Sequence, residues 1–420
     1  MIAFSLILLV FAILGAPLFT IIAASAMLGL HREGTDLMSV ALDIIGIADL
    51  PFLVAIPLFT FAGYLLSESK APQRLVRMTG ALLGWVPGGL AVVSITACAF
   101  FTAFTGSSGV TIIALGAILY PALKQDGYSD RFNLGLVTSS GSLGLLFAPS
   151  LPIILYGVVS EVPIDRLFLA GILPGLLMLF MMSAYSMWVN RGIRQPLKSF
   201  SWRETASAIR ESIWEIPLPF VVLGGIYSGF LVVSEAAAIT ALYVFIVEVL
   251  IHREIPLRDL PRVIRSSMVL VGAILIILGA SMASTNYMIS ADIPQMLLEW
   301  VSNFVSDQTS FLVMLLLFLL ALGAILDIFS AIVLIVPLIL PVAAGFDIHP
   351  VHLGIVFLAA MQLGYLTPPV GLNLFISSYR FEKPILHVYS ATFPFLMILL
   401  LSVIVIAFWP DLSLWLVPDS

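Results

Sequence analysis

Residues 141–152 read GSLGLLFAPSLP, an apolar stretch interrupted by Gly144 and Pro149. Proline removes a backbone donor and glycine relaxes the backbone, so this stretch predicts a break within a helix. Its glycine and proline recur 220 positions later in the chain, as do two prolines outside the stretch. The matching pairs are Gly144 and Gly364, Pro149 and Pro369, Pro121 and Pro341, and Pro174 and Pro394. Four pairs at one offset indicate an internal duplication.

The composition is that of a membrane protein. Of 420 residues, 61% are hydrophobic and only 10% are charged, and the mean hydropathy is +1.13. Soluble domains are about 25% charged, whereas a bilayer-spanning helix needs about 20 consecutive apolar residues. We therefore predict an all-α polytopic membrane protein. Cys98 is the only cysteine, which excludes an internal disulfide and a thiolate metal cluster. The sequence has no basic patch of the kind that binds nucleic acid.

The distribution of Lys and Arg predicts the orientation, because cytoplasmic loops are enriched in positive charge. Basic residues cluster at 70–77, 191–210 and 253–265, whereas residues 284–310 carry only acidic charges. We expect a cytoplasmic N-terminus and a periplasmic C-terminus. Residues 1–30 are interpreted as the first spanning helix. The alternative, a cleaved secretory signal, is disfavoured because the segment has no basic start and its apolar run is too long.

Nine helices are expected between these anchors. They lie near 2–30, 50–67, 133–157, 168–190, 214–232, 235–251, 265–283, 352–378 and 388–409. Two further apolar segments, 88–123 and 310–342, must each begin and end on one side of the membrane. Their centres are interrupted at Gly106–Gly109 and around Asp327. We predict that both are re-entrant hairpins, which are tolerated where protein or water covers the backbone.

These elements form two repeats of inverted topology, an architecture that places a site at the bilayer midplane in many secondary transporters. The predicted parts are helices at 1–67 and 214–283, a cytoplasmic interfacial arm at 68–87, a periplasmic arm at 284–309, a cytoplasmic linker at 191–213, and two halves at 88–190 and 310–420. Each half contains one hairpin (88–123 or 310–342) and one broken helix (133–157 or 352–378). We expect each arm to be a helix that contacts membrane lipid. The alternative for each arm is a solvated loop.

Each hairpin tip is expected to face the break of its own half. The first set comprises Gly106, Ser107, Ser108, Gly109, Ser139, Ser140, Gly141 and Ser142, and the second comprises Asp327, Ser330, Thr367, Pro368 and Gly371. Unwound carbonyls and half-helix ends at membrane depth bind ions, and Na⁺ is a hard cation that prefers oxygen ligands. The two sets are therefore candidate sites for Na⁺ or for an anion. The candidate substrate contacts are Ser108, Pro149, Pro152, Thr367 and Asn373.

Structural interpretations compete with these assignments. Ser and Thr in membrane helices commonly bond to the backbone of their own helix or to a neighbouring helix, and a proline can simply kink a helix. Asp327 is the strongest single candidate, because a carboxylate within an apolar segment costs about 2.5–3.5 kcal/mol on insertion scales. Its structural alternative is a partner group on another helix.

Absent residues are also informative. No Lys or Arg occurs at 138–154 or 362–375, so the charge of an anionic substrate would have to be offset by bound Na⁺ and helix N-termini, which predicts obligate ion coupling. The sequence contains no phosphate-binding loop, no His-Glu-x-x-His and no Gly-x-Ser-x-Gly. We therefore expect that the protein is neither an enzyme nor an energised pump. We also expect no organic cofactor and no transition metal.

Three segments carry a family resemblance: FTGSSGVT at 104–111, GSLGLLFAPSLP at 141–152 and GYLTPPVG at 364–371. Together they resemble the large membrane subunit of tripartite ATP-independent periplasmic (TRAP) transporters, over essentially the whole chain. The resemblance implies a Na⁺-driven importer of organic acids in a bacterial or archaeal inner membrane, with an elevator-type ion-transporter-superfamily fold. In such a fold, the helices at 1–67 and 214–283 would form the scaffold, and the halves at 88–190 and 310–420 would form the transport domain. It also implies that the tip and break residues form the two sodium sites. Gly109 stands where many relatives have another small residue.

The resemblance further implies two protein partners. These are a periplasmic substrate-binding protein and a small four-helix membrane subunit, which we expect to be a separate chain because this one begins directly with the first helix of the large subunit. The main alternative is a stand-alone Na⁺- or H⁺-coupled anion transporter of the same superfamily, and a channel is a more distant one. C4-dicarboxylates, keto acids and sugar acids all fit a site with few charged side chains.

Overall fold

Helices are the only regular secondary structure in the described part of the chain. The computed structural model describes residues 8, 10–11, 14–50, 53–86, 88–191, 200–305 and 307–418, and no strand occurs among them. The predicted all-α class is therefore confirmed for these residues. Residues 2–7, 9, 12 and 13 of the expected first helix and residues 192–199 of the expected linker lie outside the described part.

The helices are numbered here in chain order. They are α1 (Leu18–Glu33), α2 (Met38–Gly46), α3 (Ala55–Glu68), α4 (Ala71–Leu83), α5 (Gly89–Thr105), α6 (Ser108–Ala114), α7 (Gly116–Gln125), α8 (Asp130–Ser140), α9 (Leu151–Ser160), α10 (Ile164–Val189), α11 (Trp202–Glu211), α12 (Pro217–Tyr227), α13 (Val233–Phe245), α14 (Leu260–Ser290), α15 (Ile293–Ser302), α16 (Gln308–Gly323), α17 (Ile328–Ala344), α18 (Pro350–Gly364), α19 (Leu372–Arg380), α20 (Ile385–Phe408) and α21 (Asp411–Leu414).

Several helices are long and apolar enough to cross a membrane. By length and composition, four described helices qualify, and counting each of two bent pairs as one span raises the number to six. The four are Ile164–Val189, Val233–Ile251, Leu260–Ser290 and Ile385–Phe408. Seven shorter apolar helices of 10–17 residues accompany them. The chain is thus a multi-pass membrane protein.

Two expected spans differ from the structure. The continuous helix expected at 2–30 is interrupted at 14–17, because Gly15 adopts a left-handed φ of +84° and Pro17, which has no amide hydrogen, precedes the first residue of α1. The span expected at 214–232 is helical only over the 11 residues of α12, whose first residue is Pro217. Proline is accommodated in the first turn of a helix but not in its interior, which explains where α12 begins.

The same order of helices occurs twice. An amphipathic helix (α4 or α15) precedes two apolar arms, a broken helix (α8–α9 or α18–α19) and a long apolar helix (α10 or α20). The starts of α8 and α18 are separated by the 220 positions read from the sequence, and both breaks contain a cis X-Pro bond, at Pro149 and Pro369. Helices α4 and α15 lie within the ranges expected for the two arms, and their position at the membrane surface stays a prediction.

The two copies pack reciprocally around a buried centre. Helix α18 is buried from Val351 to Gly364, and α8 is buried from Phe132 to Ser140. Helix α9, the second part of the first broken helix, packs along α17 of the other half, and α19 packs along α6. Each tip region is therefore enclosed by segments from both halves.

Candidate functional site

The first hairpin tip is a chain reversal between α5 and α6. Gly106 follows α5 with a φ of +63°, and a Cβ at this position would lie 2.7 Å from the Leu151 side chain. A side chain would therefore be both strained and obstructed. The hydroxyls of Thr102 and Thr111 lie 2.7 Å apart, so the two arms run side by side. The tip thus lies against the start of α9.

The first break lies beside this tip. Thr102 Oγ1 donates to the carbonyl of Gly141 at 2.8 Å, and a Cβ on Gly141 would come within 3.3 Å of the Ser108 carbonyl. Ser107 is half-buried, and Gly106, Ser108 and Gly109 are buried. The first set of predicted residues is therefore brought together, although its role in sodium binding stays a prediction.

The hydroxyls of the first break divide into two classes. Ser140 Oγ donates to the Leu136 carbonyl of its own helix at 2.8 Å, and Ser142 Oγ lies 3.5 Å from the carbonyl of Ser139. These two follow the structural alternative considered from the sequence. Ser139 differs, because its Oγ is buried and has no hydrogen-bond partner within the described chain. Of these three serines, Ser139 is therefore the one whose hydroxyl is available to a ligand.

At the second tip, Asp327 caps α17. Its Oδ2 accepts from the backbone amides of Phe329 and Ser330 at 3.0 Å each, and its Oδ1 accepts from Ser330 Oγ at 2.5 Å. Its partners belong to its own helix rather than to another one. A carboxylate offers about four lone-pair sites, so three hydrogen bonds leave it able to accept a cation as well.

Asp307 makes a similar cap at the start of α16, on the loop that precedes the second hairpin. Hydrogen bonds from the side chain and backbone of Ser310 lower the pKa of the Asp307 carboxyl. This keeps the group ionised at a helix N-terminus, where the helix dipole favours negative charge.

The second tip is tied to the second break by backbone contacts. The amide of Gly371 donates to the Ala324 carbonyl at 3.1 Å, and a Cβ on Gly364 would lie 2.5 Å from the Cα of Gly323. Thr367 Oγ1 donates to the carbonyl of Leu363 near the end of α18. Pro368 is exposed. Of the second set, Asp327, Ser330 and Gly371 belong to this junction most directly.

Tyr365 is a residue of this junction that the sequence reasoning did not select. The amide of Ile328 donates to Tyr365 Oη at 2.8 Å, and Tyr365 is only 3% exposed. Tyr365 lies within segment 364–371, which carries the family resemblance, so the sequence did offer a reason to consider it. An aromatic residue in a membrane helix, however, usually indicates packing alone.

Changing Tyr365 to Phe is expected to destabilise the protein by about 1–3 kcal/mol, because the Ile328 amide would be left buried without a partner. The matched control is Tyr389→Phe, which removes a hydrogen bond of 2.6 Å to the exposed Pro369 carbonyl. Melting temperatures in detergent compare the two. An equal loss in both variants would contradict the assigned role of Tyr365.

Asn373 joins the two halves. It lies in the second broken helix, which was expected to face Asp327 of its own half, but its Nδ2 donates to the Thr138 carbonyl of the first break at 3.4 Å. Nearby, the hydroxyls of Thr138 and Ser377 lie 2.8 Å apart, and Arg380 Nε donates to the Ile113 carbonyl of α6 at 3.3 Å. The expected grouping of Asn373 with the second tip is therefore corrected: α19 carries it to the first junction.

Pro152 lies on a helix that reaches both hairpins. It belongs to the first turn of α9, whose first residue, Leu151, lies against Gly106 of the first tip. Helix α9 also packs along α17, the helix that Asp327 caps. Pro149 precedes α9, and the role of both prolines as substrate contacts stays a prediction.

Several buried polar atoms at the two broken helices have no hydrogen-bond partner within the described chain. They are Asn133 Oδ1, Ser139 Oγ, Ser150 Oγ, Gln362 Oε1 and Asn373 Oδ1. An unsatisfied buried polar atom typically costs about 1–3 kcal/mol, and such groups in native proteins usually indicate a bound water, ion or ligand. Sequence reasoning missed Asn133, Ser150 and Gln362, although a polar residue within an apolar helix is itself a signal.

The family model for the tripartite ATP-independent periplasmic transporter DctM component matches residues 4–412. This chain belongs to the DctM family. The family resemblance noted in the sequence is thereby confirmed. Among relatives, the C4-dicarboxylate TRAP transporter large permease protein DctM of Rhodobacter capsulatus is 34% identical over 379 residues, covering 86% of each chain.

Other similar proteins show the breadth of the family and of the fold. The ectoine TRAP transporter large permease protein TeaC of Halomonas elongata is 33% identical, covering 87% of this chain and 86% of its own. Among solved structures, the YdaH transporter of Alcanivorax borkumensis has a TM-score of 0.59 at 15% identity, covering 90% of this chain and 89% of that one. At that identity, the similarity concerns the fold alone. This DctM-family chain is thus a TRAP transporter large permease.

Proposed function

We propose that the chain is the large membrane subunit of a Na⁺-coupled, binding-protein-dependent importer of organic acid anions, with C4-dicarboxylates as the first class to test. Asp327 and the tip and break oxygens bind at least two Na⁺ ions, and the substrate lies between the two junctions. Re-entrant hairpins, an elevator movement of the transport domain, an inner-membrane location, a cytoplasmic N-terminus and a periplasmic C-terminus belong to the same proposal.

The observation that carries the proposal is the set of unpartnered acceptors at the two junctions. Ser139 Oγ and Asn373 Oδ1 are buried oxygens, the type of ligand that a hard cation prefers. No Lys or Arg lies at 138–154 or 362–375. Positive charge for an anionic substrate therefore comes from bound ions and helix N-termini, which favours coupling to Na⁺.

The deciding experiment is uptake of radiolabelled succinate into proteoliposomes. The chain is reconstituted with a candidate small membrane subunit and a candidate periplasmic binding protein, and an inward Na⁺ gradient is imposed. We expect uptake only when the gradient and both partners are present. Uptake without the binding protein would support the stand-alone alternative, and uptake that does not saturate with substrate would indicate a channel.

Ser139 and Ser140 provide a matched pair for the first sodium site. Ser139→Ala removes an unpartnered hydroxyl, so the protein without Na⁺ should be as stable as the wild type or more stable, while its stabilisation by Na⁺ should be smaller. Ser140→Ala removes a hydroxyl already bonded to Leu136 and should leave the stabilisation by Na⁺ unchanged. Thermal unfolding with and without Na⁺ measures both effects. Full stabilisation of Ser139→Ala by Na⁺ would exclude Ser139 as a ligand.

A further inference from the structure

A buried charged cluster lies apart from the two tip and break junctions. Arg74 of α4 donates through Nε to Glu215 at 2.5 Å, through Nη2 to Glu248 at 3.0 Å and through Nη1 to Glu254 at 2.7 Å. His252 lies beside Glu248 and Glu254. The cluster connects the first arm helix with the start of α12 and the end of α13.

The charges in this cluster do not balance. One guanidinium faces three carboxylates, and the side chains of Glu215 and Glu248 are 2% and 0% exposed. Burial opposes the charge of Arg74, but the three carboxylates outweigh this effect and raise its pKa, so the guanidinium stays protonated. The three carboxylates outnumber the one guanidinium in a largely buried position, and this surplus of negative charge is costly unless a proton or a further cation is present.

His252 is too far from the carboxylates of the cluster for direct hydrogen bonds. Its Nδ1 lies 3.9 Å from Glu248 Oε2 and 4.0 Å from Glu254 Oε1, which is beyond the normal range of about 2.7–3.2 Å for a hydrogen bond. Tetrahedral metal bonds of about 2.0–2.1 Å place neighbouring ligand atoms about 3.4 Å apart. A shift of about 0.5 Å would therefore bring His252 Nδ1 and a Glu248 oxygen to the spacing of metal ligands.

Glu215 supplies an independent indication of a ligand. Its Oε1 binds Arg74, whereas its Oε2 is buried and has no partner within the described chain. One ligand atom each from Glu215, Glu248 and His252 lie within 4.8 Å of one another. A π-helical segment at Ile246–Ile251 contains Glu248 and leads directly to His252, and such segments frequently occur at functional sites.

We propose that Glu215, Glu248 and His252 bind one divalent transition metal of the Zn²⁺ type. Imidazole and carboxylate ligands suit this class, and its two charges neutralise the surplus. The ion joins α12 to the end of α13, and Arg74 extends this connection to α4. This site is independent of the proposed transport function. No transition metal was expected from the sequence, although Glu248 and His252 are four positions apart, a spacing that can indicate metal ligands on one face of a helix.

The test is metal binding to the purified full chain in detergent. After treatment with a chelator, the protein is titrated with ZnCl₂ by calorimetry, with MgCl₂ as the comparison. We expect one equivalent of Zn²⁺ to bind, a rise in melting temperature with Zn²⁺ and no comparable effect of Mg²⁺. Absence of stoichiometric Zn²⁺ binding would overturn the proposal.

Variants locate the ion. His252→Ala and Glu215→Gln should each weaken Zn²⁺ binding at least about tenfold, since each removes one ligand. Glu215→Gln keeps an oxygen for Arg74, so it is the decisive variant if His252→Ala does not fold. His387→Ala is the control, because His387 is an exposed histidine elsewhere, and it should bind like the wild type. Unchanged binding by Glu215→Gln would place the ion elsewhere and overturn the site.

Discussion

Asp327→Asn is expected to leave the protein folded but to raise the Na⁺ concentration for half-maximal uptake at least about tenfold, equivalent to about 1.4 kcal/mol of binding free energy. The structural reason is that Asn and Asp are comparable N-cap residues. The contacts from Phe329 and Ser330 can therefore be retained while the charge is lost. Uptake as a function of Na⁺ concentration in proteoliposomes measures the effect. This prediction depends on the proposed function.

Asp327→Ala removes the helix cap as well as the charge, so comparison with Asp327→Asn distinguishes the two effects. It should lose Na⁺-coupled uptake, like the Asn variant or more severely, and should in addition lose about 1 kcal/mol of stability, since alanine cannot cap a helix. We therefore expect the order of melting temperatures to be wild type, Asn, Ala. Normal Na⁺ dependence in the Asn variant would exclude Asp327 from the sodium site and leave it only a structural role.

Gly364→Ala is expected to cause the largest structural loss among the proposed substitutions. The new Cβ would lie 2.5 Å from the Cα and 2.6 Å from the carbonyl carbon of Gly323, so two backbones must separate. Overpacking in a close-packed interior costs about 1–3 kcal/mol, occasionally more. Here the second tip would be displaced from the second break. The yield of monodisperse protein and its melting temperature are the measurements.

Gly272→Ala is the matched control. Gly272 lies within α14 and is exposed, and a Cβ there meets nothing within 4 Å. Alanine favours a helix interior by about 1 kcal/mol over glycine, so the same substitution should be neutral or stabilising. Equal destabilisation by both substitutions would show that the contact between Gly323 and Gly364 is not tight in solution.

The features that were predictable from the sequence are local ones. Apolar runs are sufficient to predict helices, because each segment satisfies its own backbone hydrogen bonds. Pro149 and Pro369 mark the two breaks, and the common offset identifies the repeat. The interruption at Gly15 and Pro17 was also readable in principle, but the long apolar run concealed it.

The site was only partly predictable. The sequence identified Ser139, Asp327 and Asn373 as candidate ligands from residue type and position. It could not show that Ser139 Oγ is unpartnered while Ser140 Oγ is bonded, because adjacent serines on one helix face different neighbours. It also could not show that Tyr365 holds the amide of Ile328, since that contact requires two segments to pack.

The sequence by itself determined the membrane class, the duplication, the breaks and the chemical type of the candidate ligands, because these depend on residues that are close in the chain. Only the tertiary structure decided which partners meet. Thr138 and Asn373 are 235 positions apart, and Arg74 and Glu254 are 180 apart. Such pairs come together through the reciprocal packing of the two halves, which depends on the shapes of many helices at once rather than on any local pattern.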